Sequence, residues 1–194
     1  MLIQNQPRNL IQARSRVERA AQELAPQDIV ERGNFLGAGM GGGAYQIEHL
    51  GQQFVAKQWG HPESAMGSVT PTTAQEYAVF ALKQTAVQNA LAVAGFPLPI
   101  SAVLGKDARW VLMEKVEGMP VDELNANEQT EAKQQAGQMA QQMEPVIIDT
   151  LGQLAAQHPD SAKSFEYFPD MQGNMRFTRG PQGIQVSGAF DPIM

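Results

Sequence analysis

Apolar residues recur every three or four positions in three stretches of the chain and alternate with polar residues in three others. Leu10, Ile11, Ala13, Val17, Ala20, Ala21 and Leu24 predict an amphipathic helix over 9–24, ended by Pro26. Residues 34–57 mix glycine, apolar and polar positions around Leu50-Gly51, the pattern of a two-stranded hairpin. Thr70-Pro71 and the Thr73/Glu76 spacing mark a helix start. Tyr77, Phe80, Val87, Leu91 and Ala94 carry that helix to about 94 along one broad side. Two short strands, 100–104 and 109–114, flank a turn at Gly105-Lys106-Asp107. Ala132, Ala136, Met139, Met143, Ile147, Leu151 and Leu154 predict a helix over 127–157 that Pro145 should kink or restart. The segment 175–190 reads as a hairpin turning at 180–183.

The expected architecture is α+β and two-lobed. A tail and helix (1–33) precede a small lobe (34–114) built as an antiparallel sheet plus one helix. A hinge (115–118) leads to a reduced helical large lobe (119–194) that ends in the hairpin.

The composition narrows the chemistry. Of 194 residues, 43% are apolar and 18% charged, the balance of a folded globular protein. A formal charge of −6 argues against nucleic acid as a partner, because such binders need a basic stripe to displace counterions. Without cysteine there is no disulfide, thiolate metal site or thiol nucleophile. His49, His61 and His158 are too scattered to hold a metal. No run reaches the roughly 20 apolar residues of a membrane span, so no membrane partner is expected. The polar, arginine-bearing start lacks the apolar block of a cleaved signal peptide and would suit a non-cleaved export signal.

Gly37, Gly39, Gly42 and Gly43 form a glycine run between two predicted strands. A dinucleotide fold would need a helix directly after the glycines, and a Walker loop would need Gly-Lys-Ser/Thr; neither is present. What remains is a flap whose backbone N–H groups can approach phosphate oxygens unobstructed. Lys57 ends the apolar strand Phe54-Val55-Ala56-Lys57, and Glu76 follows it by 19 residues on the predicted helix. A strand lysine reaching solvent and a helix acid acting as a cap are the plainer readings of each residue alone.

Together these features resemble the protein-kinase superfamily, in which the glycine loop covers ATP phosphates and a strand lysine pairs with a helix glutamate. The resemblance runs over 34–194 and makes Lys57 and Glu76 an ion pair over the phosphates, with Ala56 among the cofactor-binding residues. Val111-Leu112-Met113-Glu114-Lys115-Val116 is similar to the last small-lobe strand and hinge. Met113 would then be gatekeeper, and the Glu114 and Val116 backbones would hold adenine. Phe168-Pro169-Asp170-Met171-Gln172-Gly173-Asn174 is similar to a catalytic loop. It implies that Asp170 serves the attacking hydroxyl, that Gln172 stands near the transferred group, and that Asn174 holds magnesium with Asp191. His158-Pro159-Asp160 is a rival loop, set aside because Phe165 stands where an asparagine is needed.

The chain departs from the pattern in several places. Asp170 and Asn174 are four apart rather than five, no arginine precedes Asp170, and Pro192 follows Asp191. Alanine and lysine are adjacent where kinases have a residue between them, and no activation segment follows. In compactness the chain resembles the minimal type III secreted effector kinases of the HopBF family. That resemblance implies a monomeric Ser/Thr kinase using ATP and Mg2+, delivered by a bacterium into the host cytoplasm. Its substrate would be a host protein such as the ninety-kilodalton heat-shock chaperone. A small-molecule phosphotransferase and a non-catalytic pseudokinase-type module are the alternatives.

Overall fold

A computed structural model describes residues 9–39, 42–64, 74–105, 109–165, 175–181 and 183–189. Helices α1 (Leu10–Glu23) and α2 (Pro26–Arg32) precede strands β1 (Asn34–Ala38), β2 (Gly42–His49) and β3 (Gln52–Trp59). Helix α3 (Ala74–Val93) leads to β4 (Ser101–Val103) and β5 (Trp110–Glu114). Helix α4 (Ala126–Gln157) lies between two 3-10 turns, Val121–Glu123 and Pro159–Phe165, before the hairpin β6 (Met175–Gly180) and β7 (Gly183–Ala189).

The first five strands make one antiparallel sheet in the order β1-β2-β3-β5-β4. At the β2–β3 turn Leu50 and Gly51 have φ of 50° and 72°. Two left-handed residues in a two-residue turn give a twist that matches the strands. Side chains alternate across this sheet. Tyr45, Ile47, Phe54, Ala56, Trp110 and Leu112 face a core closed by Ala13, Val17 and Ala20 of α1 and Ile29 of α2. The opposite face carries Val55, Trp59, Val111 and Met113 against Tyr77, Phe80 and Ala81 of α3. Full burial of a side chain such as Trp110 or Leu112 contributes about 1.5–3 kcal/mol.

Proline marks the first departure from expectation. The chain does turn at Pro26, but the residue opens a second helix instead of only ending the first. Its missing N–H costs nothing at a helix start. Asp28 completes the entry by accepting the Ala25 N–H at 2.7 Å. At Pro145 the helix neither stops nor restarts: α4 runs through it for 32 residues. Met143 on one side and Ile147, Leu151 and Leu154 on the other enter the same core. That shared burial holds the helix through the lost backbone bond.

This second core joins α4, the hairpin and the far half of α3, through Val87 and Leu91. The hairpin is fastened to the linker before α4. Met119 and Phe177 exchange backbone hydrogen bonds of 2.9 Å, and Ser187 Oγ donates to the Glu117 carbonyl at 2.7 Å. Gly118 has φ of 124°, and a Cβ there would meet Ser187 Oγ and the Phe177 backbone. Only glycine satisfies both demands. The α+β expectation is met, with an antiparallel sheet plus one helix first and a helix with a hairpin after. Among the described residues, no helix is long and apolar enough to cross a membrane.

Candidate functional site

The glycine run sits where β1 turns into β2, closed by Gly39 N–H donating to the Gly42 carbonyl at 2.9 Å. Its glycines serve different needs. At Gly37, φ of 136° coincides with a register shift in the β1–β2 ladder. Gly42 lies opposite Trp59, where a Cβ would strike the Gln58 carbonyl. Gly43 makes room for the ring of His61. A Cβ on Gly37 or Gly39 would meet nothing within 4 Å. His61 braces the root of the loop: it bonds the Tyr45 hydroxyl at 3.0 Å and stacks 5.1 Å from Phe35. Its Nδ1 accepts the Glu63 N–H at 3.2 Å, which leaves Nε2 as the donor to Tyr45. Burial pushes the Tyr45 hydroxyl pKa up, and the charge of Glu63 adds to that.

Lys57 lies on β3 opposite Ala44 of β2 and Val111 of β5, facing α3. Its ammonium stands 3.9 Å from the centroid of the Trp59 ring. Trp59 is buried, donates Nε1–H to Gln84 Oε1 at 3.1 Å, and lies 5.3 Å from the ring of Phe80. Glu76 is exposed in the first turn of α3.

Ala56 does not share the face of Lys57. The strand's two-residue period turns it into the α1 core, where it is fully buried. Its neighbour Val55 takes the Lys57 face instead, opposite Met113. The close spacing of alanine and lysine, noted above as a departure from the kinase pattern, has this physical result. Met113 is buried on the Lys57 face, with Gln88 Nε2 donating to its sulfur at 3.9 Å.

Glu114 is committed to the fold. Its N–H donates to the Ile100 carbonyl at 3.2 Å, and its carboxylate accepts the Ile100 N–H at 3.0 Å and Arg16 Nη2 at 3.4 Å. Val116 lies against Gly188 of β7, where a Cβ would collide with it. Asp170, Gln172, Asn174 and Asp191 lie outside the described residues. Among the described residues, no group of three His, Asp or Glu side chains could hold a metal.

The row Lys83, Gln84 and Gln88, buried within α3, was not read as functional from sequence. Polar residues inside an apolar helix face were the available signal. Arg176 of β6 is half-buried; desolvation pulls its pKa down, while Glu123 and Asp122 act the other way.

The described sheet, helix and hairpin define an α+β protein with a glycine run on the strands beside a strand lysine. No protein-family model matches the chain, and no curated protein matches it. Among solved structures it is similar to the Rio2 kinase–ADP/Mg2+–phosphoaspartate complex from Chaetomium thermophilum, with a TM-score of 0.49 and 15% identity. The match covers 92% of this chain and 51% of that one, so the chain spans about half its length.

Proposed function

We propose that this chain is an ATP-dependent phosphotransferase of the protein-kinase type. The observation that carries the reading is the register of β1, β2 and β3. It sets the glycines flanking the β1–β2 turn beside a strand lysine, with α3 on the lysine's face. Phosphoryl transfer needs a backbone-lined cover and a cation for the phosphates, and little covalent chemistry from the protein. The glycine tip and Lys57 supply those two parts. Val55 and Met113 offer an apolar wall for a base, in place of Ala56.

When bound, Mg·ATP supplies the γ-phosphoryl group and a metal charge that offsets the charge building on it. Asn174 and Asp191 are the proposed metal ligands. In sequence Asn174 stands one residue before Met175 and Asp191 two after Ala189, and Met175 and Ala189 are cross-strand partners at one end of the hairpin. Asp170 is the proposed acceptor of the proton from the attacking hydroxyl. That oxygen bonds to the γ-phosphorus as the bond to the β-bridging oxygen breaks and ADP leaves.

The finer reading is a Ser/Thr kinase acting on a folded protein surface, a host protein such as the ninety-kilodalton chaperone, after secretion into the host. It rests on the resemblance set out above. A second reading, a non-catalytic nucleotide-binding module, is the alternative that the same resemblance leaves open. Radiolabelled ATP with candidate proteins separates the two. Label transfer by the wild type that is lost in Asp191→Ala supports catalysis. Binding without transfer supports the module, and absence of nucleotide binding overturns both.

A further inference from the structure

We propose that Trp59 is the positioning residue of Lys57, tying the ammonium to α3 through Gln84. The proposal deepens the phosphate-binding reading above and rests on it for its functional consequence. Val55, Lys57 and Trp59 alternate onto one face of β3. Trp59 is the fixed member of that set. Its indole is buried, its N–H is spent on Gln84, and Phe80 lies against its ring. Its backbone is also held, N–H to the Arg109 carbonyl at 2.9 Å and in register with Gly42 at the end of the glycine turn.

A flexible lysine stem has many rotamers, and a fixed π face 3.9 Å from the ammonium selects among them. The indole therefore joins three parts: the glycine turn, the lysine and α3. This coupling passes through one ring and one neutral hydrogen bond. Movement of α3 at Gln84 would shift the ring, and with it the place from which Lys57 reaches a phosphate.

The test pairs a nucleotide-independent readout with a nucleotide-dependent one. Lysine-selective 13C labelling reports the Lys57 Cε environment by NMR, with Lys57→Arg giving the assignment. In the wild type the resonance should be ring-shifted upfield. The shift should persist in Trp59→Phe and vanish in Trp59→Leu. Affinity for a non-hydrolysable ATP analogue with Mg2+ should fall about tenfold in Trp59→Leu and about threefold or less in Trp59→Phe.

Gln84→Leu leaves the ring in place but cuts its link to α3, so it should broaden or move the Lys57 resonance while the sheet stays folded. If Trp59→Leu fails to fold, Trp59→Phe and Gln84→Leu carry the test alone. An unshifted Lys57 resonance in the wild type overturns the proposal. So does a Trp59→Leu protein that binds the analogue as well as the wild type. A shifted resonance with no analogue binding by the wild type supports the seat and overturns the phosphate-binding reading alone.

Discussion

Arg179 of β6 and Glu128 in the first turn of α4 form a two-pronged ion pair, Nε to Oε1 at 2.7 Å and Nη2 to Oε2 at 3.0 Å. Glu128 also accepts the Asn125 N–H at 3.0 Å, completing a capping box whose other half is Asn125 Oδ1. One carboxylate thus starts the long helix and ties the hairpin to it. The Arg179 hydrogen bonds, then the Asn125 N–H, hold its pKa at about 2, below the ordinary 4.5.

A lowered carboxylate pKa favours folding while the group is ionised. The contribution is complete above about pH 4.5 and disappears as pH falls toward about 2. Glu128→Gln should therefore be less stable than the wild type in urea at pH 7. The two should converge near pH 2. An equal gap at both pH values would show that the charge is not what matters.

Val55 and Ala56 should separate binding from stability. Enlarging Ala56 to leucine overpacks the α1 core and should cost about 1–3 kcal/mol in urea unfolding. Changing Val55 to threonine should leave the sheet folded and weaken binding of an ATP analogue, because Val55 lies on the Lys57 face. Loss of binding from Ala56→Leu without loss of stability would reverse the assignment.

Gly118→Ala should cost about 2 kcal/mol or more, since it adds backbone strain at φ of 124° to a collision with Ser187 and Phe177. Hydrogen exchange at Met119 and Phe177 should rise selectively, because their mutual bonds depend on that turn. Uniform exchange across the molecule would contradict this.

Leu50 occupies a left-handed position, φ of 50°, and is exposed. Leu50→Asn gives the turn the Asn-Gly pair it prefers and should raise the urea midpoint, by about 0.5–1 kcal/mol in stability. No gain would mean the turn relaxes around leucine at no cost.

The elements with strong periodicity were legible from sequence. Helix 127–157 and the hairpin at 175–190 fall within a residue or two of α4, β6 and β7, because both bury one continuous stripe. Strand positions near Lys57 were harder to read. Motif similarity placed Ala56 beside the nucleotide, whereas the period of two turns it away. The second helix at Pro26 was missed because a proline ending one helix and a proline beginning the next look the same along a chain. Trp59 gave no motif signal. Its importance comes from Gln84 and Phe80, more than twenty residues away, and such pairings emerge only once strand and helix are set side by side.

Helix α3 contributes Tyr77 and Ala81 to the core under the sheet and Val87 and Leu91 to the core around α4. A single rigid rod is therefore embedded at both ends in different surroundings. The same helix that packs on α4 also carries Gln84, the hydrogen-bond partner of Trp59. A change in how α3 seats on α4 would then reach the surroundings of Lys57 with no residue near the lysine being altered.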